Sequence, residues 1–472
     1  MLPNILYVLS LTVLPIFRVV SGLGGSVYAN NQQTLQLEDE TPERRTSQTH
    51  ILQRNWGAYS PYYPVAEYVP PPEGCEITQA SSVNILQRHG ARYPTAGPAA
   101  AIALAVTKLQ NVSTFKEPSL EFIRNFTWNL GTSDLVLFGA AQSLAAGAEA
   151  YHRYNGLVSS DNIPFVRASG SERVIMSATN WTYGFSAASG MRFNPILSVI
   201  LNESDNNTLH NFCPSIGSSN TQTDIWIGIY TKPIVQRLND AAPGAKLTVD
   251  DVYYLMALCA FESVAINVIS DWCGLFDEDE WKGFEYEMDL DKYYGTGYGQ
   301  LLGPVEGVGY INELIARLTS RPVNDTTQTN TTLDQSLTTF PLNRTIYADF
   351  SHDDQLVAIY SAMGLFKQSM ALDPTSPLDL ELLGTGLDKE NTKRTWIASH
   401  LVPFSARMVV EKMQCRQLSS EDYMRILVND AVQPLEFCSG VTPEGVCRVS
   451  AFVESQGYAT SGGNGDWQKC FE

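Results

Sequence analysis

Two guanidiniums flank an imidazole in the run Arg88-His89-Gly90-Ala91-Arg92-Tyr93-Pro94-Thr95. That grouping suits a phosphoryl group. Each arginine offers planar, permanently charged donors to its oxygens, and a neutral histidine can attack the phosphorus. A second junction carries Ser351-His352-Asp353-Asp354, the only His-Asp pair in the chain. It lies between a strand-like run and a helix-like one, where the N–H groups of a helix start favour anions. His50, His152, His210 and His400 sit in no comparable context and read as structural.

These residues need elements that converge. Val83–Leu86, Thr345–Phe350, Val402–Val410 and Met424–Val428 are short apolar runs of the kind that form buried strands. Helical periodicity is clearest over Ala99–Leu109, Leu135–Arg153, Val252–Val268 and Val308–Leu318. His89 therefore follows a strand in a tight turn, the place where open α/β sheets put their ligand sites. In that turn Gly90 lets backbone approach a ligand, and Pro94 suits the start of the next helix. The stretches 202–244 and 320–343 are rich in Asn, Thr, Ser, Asp and Pro and read as surface connections. Strands near both ends and helices between them predict an α/β fold: an open sheet flanked by helices, with a smaller, mostly helical inserted domain. The expected division is 51–165 with 340–472 for the α/β catalytic domain and 166–339 for the helical one.

Composition narrows the partners. The 472 residues hold 44% hydrophobic and 17% charged side chains, as a packed chain does. The 31 Lys and Arg against 50 Asp and Glu leave a net charge of −19, which repels nucleic acid and anionic lipid over most of the surface. An anionic small molecule would need a local basic site working against that field. Residues 5–17 form an apolar run of signal-peptide length, so 1–29 is expected to be a signal peptide and the polar stretch 30–50 a flexible arm. No other stretch is apolar and long enough for a membrane helix, and the mature chain is expected to be soluble and secreted. N-glycosylation sequons begin at Asn111, Asn125, Asn180, Asn202, Asn206, Asn324, Asn330 and Asn343, more than composition alone supplies. The eight cysteines are even in number and lack zinc spacing, which reads as four disulfides. Short separations make Cys259–Cys273 and Cys438–Cys447 natural local staples, with the remaining connectivity open.

The string R-H-G-x-R-x-P resembles the signature of the histidine acid phosphatases, a branch of the phosphoglycerate-mutase-like superfamily. The resemblance runs over nearly the whole mature chain and looks closest to fungal secreted phytases, particularly those of basidiomycetes. Residues 55–62, 291–299, 303–310 and 429–436 carry it further. It implies a two-step hydrolysis without metal or cofactor. His89 would be the nucleophile, Asp353 the proton donor, and Arg88, Arg92, Arg167 and His352 the phosphate clamp. Arg167 enters through Phe165-Val166-Arg167-Ala168-Ser169-Gly170-Ser171-Glu172-Arg173, in which the resemblance assigns the clamp to the first arginine and leaves Arg173 structural. Tyr59, Thr95 and Lys292 match substrate-contacting positions, Lys292 supplying charge for outer phosphates. The resemblance also pairs Cys75 with Cys415 and Cys213 with Cys470.

The implied substrate is a phosphate monoester, myo-inositol hexakisphosphate (phytate), acted on at acidic pH by a monomer. The alternatives are a broad-specificity secreted acid phosphatase and a non-catalytic glycoprotein of the same fold. Two departures bear on specificity. Ala58 stands where ascomycete phytases commonly have Gln, and residues 96–100 are neutral, the first lysine after the signature being Lys108. Asp354 stands where many relatives have Asn, which places a second carboxylate beside Asp353 and is expected to raise the pKa of one of the two.

Overall fold

Val83-Asn84-Ile85-Leu86-Gln87-Arg88 is buried at all six positions. A strand takes that pattern when both faces of its sheet are covered. Among its polar members, Gln87 Nε2 donates to Ser405 Oγ at 2.9 Å, whereas the Asn84 amide is buried with no hydrogen-bond partner among the described residues. In the computed structural model, which describes residues 52–377 and 394–472, this strand belongs to a nine-stranded sheet. The strands are β1 (Cys75–Glu76), β2 (Val83–Arg88), β3 (Phe165–Ser169), β4 (Leu197–Leu201), β5 (Ile346–Ser351), β6 (Arg407–Cys415), β7 (Asp422–Val428), β8 (Ala431–Val432) and β9 (Cys447–Arg448). The principal helices are α1 (Ala96–Gln110), α2 (Leu137–Tyr154), α3 (Glu172–Ala188), α4 (Asn220–Ala241), α5 (Val249–Ile266), α6 (Glu278–Gly295), α7 (Val308–Thr319) and α8 (Asp353–Met363). The expected signal peptide and arm, residues 1–50, lie outside the described residues.

The sheet runs β4-β3-β5-β2-β6-β7-β8. β4, β3, β5 and β2 are mutually parallel, whereas β6 pairs antiparallel with both β2 and β7. Strand parity sorts the side chains. Val83, Ile85, Val166, Ala168, Ile346, Ala348 and Phe350 pack with Ala146 and Ala150 of α2 and Trp181 and Phe185 of α3 on one face. Leu86, Phe165, Tyr347, Met408 and Val410 join Leu356 and Ile359 of α8 and the helical segment on the other.

The α/β architecture matches the expectation, but three boundaries move. The division at 166 falls inside β3, and β4 and α3 also belong to the sheet and its covering layer. Residues 220–241, expected as surface connection, form α4 in spite of Pro233, because Trp226 and Ile234 are buried and Trp226 Nε1 donates to Gly283 O at 2.8 Å. The strand expected over Val402–Val410 begins at Arg407 and extends to Cys415.

Four disulfides join all eight cysteines as Cys75–Cys415, Cys213–Cys470, Cys259–Cys273 and Cys438–Cys447. The first ties β1 to β6 at directly paired positions. Asn111, Asn125, Asn202, Asn206, Asn324 and Asn343 are exposed, while Asn180 and Asn330 are half-buried. Among the described residues no helix is long and apolar enough to cross a membrane.

Candidate active site

Three of the parallel strands deliver chemistry at their C-terminal ends. β2 ends at Arg88 and is followed by His89; β5 ends at Ser351 and is followed by His352 and Asp353; β3 ends at Ser169 and leads into α3 with Arg173 in its first turn. The pairing of Arg88 with Ser351 brings the first two ends side by side. Here open α/β sheets place their ligand crevice. A cavity of 680 Å³ opens at this edge, lined by Tyr59, Arg92, Thr95, Arg173, Lys292, His352 and Asp353 among others. That volume is in the range of ordinary small-molecule sites.

His89 is fixed from several sides. Its backbone N–H donates to Ser351 O at 3.0 Å and its carbonyl accepts from Ser405 N at 2.9 Å. Its Nδ1 lies 2.8 Å from Gly90 O. A carbonyl only accepts, so Nδ1 carries the proton and Nε2 keeps its lone pair. Burial, reinforced by the charges of Arg88 and Arg92, holds the imidazole pKa well below its ordinary value. The site therefore favours the neutral imidazole. Gly90 serves this geometry differently from expectation: a Cβ there would lie 2.2 Å from Gly139 O, so its missing side chain admits the backbone of α2 and not a ligand.

Arg88 is fully buried, with its guanidinium anchored by the carbonyls of Ala58 and Val402, the latter at 2.6 Å. Burial lowers its pKa to about 10, which leaves it charged. Its Nη2 reaches Asp353 Oδ2 at 3.1 Å. The Nε atoms of Arg88, Arg92 and Arg173 are buried without an acceptor among the described residues. His352 caps α8, and its Nδ1 lies 3.3 Å from Arg173 Nη2 while its Nε2 lies 2.8 Å from Glu203 Oε1. Its ring centroid is 5.6 Å from that of His89.

The structure does not bring Arg167 to this cavity. Arg167 pairs directly with Asp349 across β3 and β5. Its Nε donates to Asp349 Oδ1 at 2.8 Å and its Nη2 to Glu313 Oε2 at 2.6 Å, with the side chain 2% exposed. Strand parity turns it toward the helix-covered face, where Arg317 Nη1 also meets Asp349 at 2.6 Å. The arginine beside His352 is Arg173, which had been read as structural.

Lys292 also differs from expectation. It lines the cavity, but its Nζ lies 2.6 Å from Asp354, 3.2 Å from Asp353 and 3.2 Å from Asp291. Three carboxylates thus neutralise the charge expected for outer phosphates. Burial would raise Asp353, yet Arg88 and Lys292 outweigh it and hold this carboxyl well below its usual range. Asp354 carries the raised pKa of the pair, through partial desolvation at the cavity wall and the charge of Asp353. Tyr59 lies against Phe261 at 4.4 Å, its hydroxyl pushed up to about 12 by burial. Thr95 caps α1 at the cavity rim. Glu203, absent from the sequence reading, and His210, read there as structural, stand beside His352. The available signal was that Glu203 follows the apolar run ending at Leu201 as His89 follows β2.

A family profile described as histidine phosphatase superfamily (branch 2) matches residues 80–429. The chain is 40% identical over 437 residues to Phytase A of Emericella nidulans, covering 88% of this chain and 90% of that one. It is 40% identical over 441 residues to Phytase A of Aspergillus terreus, with 89% and 91% covered. Among solved structures it is similar to the phytase from D. castellii, with a TM-score of 0.69 at 22% identity over 89% of this chain and 88% of that chain. A multiple inositol polyphosphate phosphatase of Bifidobacterium longum, solved with inositol hexasulfate, gives 0.63 at 15% identity over 86% and 98%.

Proposed function

Because the chain belongs to branch 2 of the histidine phosphatase superfamily, we propose that it hydrolyses phosphate monoesters through a phosphohistidine on His89, with myo-inositol hexakisphosphate as its substrate. The observation that carries this reading is the clamp on His89 Nδ1, which leaves Nε2 with its lone pair in the field of Arg88 and Arg92. Relatives named Phytase A, 40% identical over most of both chains, support the substrate.

In the first step Nε2 attacks phosphorus in line with the leaving oxygen. Arg88, Arg92 and Arg173 hold the equatorial oxygens, donors preorganised where charge develops. His352, anchored through Nε2 on Glu203, has Nδ1 as the edge it presents beside Arg173. Asp353 is ionised beside Arg88 and Lys292, so the proton for the leaving alkoxide must arrive with the substrate. A phosphomonoester has its second pKa near 6, and in mild acid its monoanion brings one proton. Asp353 relays that proton to the ester oxygen as the P–O bond breaks, and the alcohol departs neutral. In the second step Asp353 takes a proton from water as water displaces Nε2, then passes it to the departing phosphate, which restores the carboxylate.

A broad-specificity phosphatase is the second reading, and one observation favours it. Asp224, Asp250 and Asp291 line the cavity, and Lys292 is already paired. Such a wall opposes a polyanion. The deciding experiment is kcat/KM for phosphate release from phytate and from p-nitrophenyl phosphate near pH 5 with EDTA. A preference for phytate supports the first reading; equal or faster release from the aryl ester supports the second; release from neither removes both. The working compartment proposed is extracellular, supported by the four disulfides, which persist in oxidising surroundings.

A further inference from the structure

The fourth parallel strand also ends at the cavity. β4 stops at Leu201, and Glu203 follows it to meet His352. His210, on the connection that leads away, turns its ring to within 5.4 Å of the His352 ring, nearly perpendicular at 80°. His210 Nε2 is 3.7 Å from Glu203 Oε2, and His352 Nε2 is 2.8 Å from Glu203 Oε1. One ligand atom from each of the three residues lies within 4.8 Å of the others. No second group of three or more His, Cys, Asp or Glu side chains among the described residues meets that test.

We propose that Glu203, His210 and His352 form a binding site for a divalent transition-metal ion of the zinc class, and that its occupation shuts the phosphatase down. Two imidazoles and a carboxylate, with the fourth position open, are a donor set that zinc accepts. Zn–N and Zn–O bonds of about 2.0–2.2 Å place neighbouring ligands about 3.3–3.5 Å apart in a tetrahedron. The spacing here brackets that value, so small side-chain rotations close the site. The carboxylate is already oriented, Glu203 Oε1 accepting from Ser169 Oγ at 2.8 Å and from Ser171 N at 3.1 Å. Outer contacts of this kind hold a ligating group in place. His210 Nδ1 has no hydrogen-bond acceptor among the described residues, so its ring can pivot toward the carboxylate.

Binding replaces the hydrogen bond from His352 Nε2 to Glu203 with two metal bonds, and the proton of Nε2 is taken up at Nδ1, so that the ring ligates as neutral imidazole. The open fourth position faces the cavity, where it takes a phosphoryl oxygen and draws the phosphate off the line to His89. The inhibitory half of this proposal rests on the role given to His352 above, whereas the binding half does not.

The test uses the full enzyme stripped with EDTA and dialysed. Zinc uptake is followed by calorimetry, and hydrolysis of p-nitrophenyl phosphate is followed in parallel because this ester, unlike phytate, does not itself sequester zinc. The expected result is one zinc per chain and inhibition with the same midpoint as binding. His210→Ala should weaken both by at least about tenfold, with hydrolysis in the absence of metal close to wild type. His210→Gln, of similar bulk, serves if the alanine variant loses its melting transition. Unchanged zinc affinity in a folded His210 variant, or no uptake by the wild type at millimolar zinc, overturns the site. Tight uptake that leaves hydrolysis untouched overturns the inhibition. If wild type hydrolyses nothing, calorimetry still decides the site, and the proposed function fails separately.

Discussion

Arg167→Met and Arg173→Ala should fail in opposite ways. Arg167 holds Glu313 through two nitrogens, at 2.6 and 3.2 Å, and Asp349 through Nε at 2.8 Å, in a site closed to solvent. Removing one partner of a buried pair typically costs about 3–5 kcal/mol, because the remaining charge stays buried. Arg317 still holds Asp349 at 2.6 and 3.3 Å, so the uncompensated charge falls on Glu313 and the cost belongs toward the lower end. An unfolding entropy of about 2.1 cal/mol/K per residue makes roughly 1 kcal/mol/K for this chain. The expected loss is therefore about 3 °C in Tm, with kcat/KM on p-nitrophenyl phosphate reduced only modestly while the protein stays folded. Arg173→Ala removes a half-buried cation of the cavity wall and should leave Tm nearly unchanged. Loss of one preorganised donor to a developing oxyanion costs about 100- to 1,000-fold in kcat, and that is the expected deficit. Differential scanning calorimetry with steady-state kinetics reads both. Wild-type Tm with a hundredfold kinetic loss in Arg167→Met, together with near-full activity in Arg173→Ala, would refute the assignment.

Three further outcomes are expected. His89→Ala should abolish turnover and the alkali-stable phosphoryl label on the protein while near-UV circular dichroism stays native; turnover in a cleanly folded variant would remove the phosphohistidine. Asp353→Asn should lose more activity on an alkyl phosphate than on p-nitrophenyl phosphate, whose leaving group needs less protonation, and equal losses would take away the proton-relay role. Glu306, 1% exposed, has its pKa raised by burial to about 8 from an ordinary 4.5, with Asn211 donating to it at 3.1 Å. A raised folded-state pKa gives stability that is whole below pH 4.5 and drains away as pH climbs to 8. At about 1.4 kcal/mol per pH unit, wild type should lose roughly 2–3 kcal/mol from this group between pH 5 and 7. Glu306→Gln should flatten that slope in urea titrations; parallel curves for the two proteins would show that Glu306 is not its source.

The reactive pairs were legible because each directly follows a short apolar run, a signal both local and strong. Arg167 and Arg173 posed a harder problem: they bracket the end of β3, and sequence order alone cannot say which one faces the crevice. Parity could have decided it, since Arg167 stands between Val166 and Ala168, whose shared face packs on α2 and α3. The weak signal at Glu203 and the structural reading of His210 did not reveal their meeting with His352 for another reason. Only the sheet order, with β4 beside β3 and β3 beside β5, brings them to a residue about 150 positions away. Lys292 lines the cavity next to its sequence neighbour Asp291, but its other two acidic partners, Asp353 and Asp354, come from α8 and cannot be read from its own neighbourhood. α4 escaped notice because its helix rests on tertiary contacts such as the edge-to-face packing of Trp226 on Tyr286 of α6, 5.2 Å between centroids, and not on propensity.

The parallel alignment of β2 with β5, Val83 opposite Ile346 through Arg88 opposite Ser351, has a practical consequence for anyone refolding this protein. A slip of one residue between these strands would displace His352 by about 3.3 Å along the strand and turn alternate side chains to the wrong face. His89 and Asp353 would then no longer meet across one phosphorus. Recovered hydrolysis thus reports strand register, something that far-ultraviolet circular dichroism, which counts strands without aligning them, does not see. Chains that regain their ellipticity before their activity would be chains whose sheet has formed out of step.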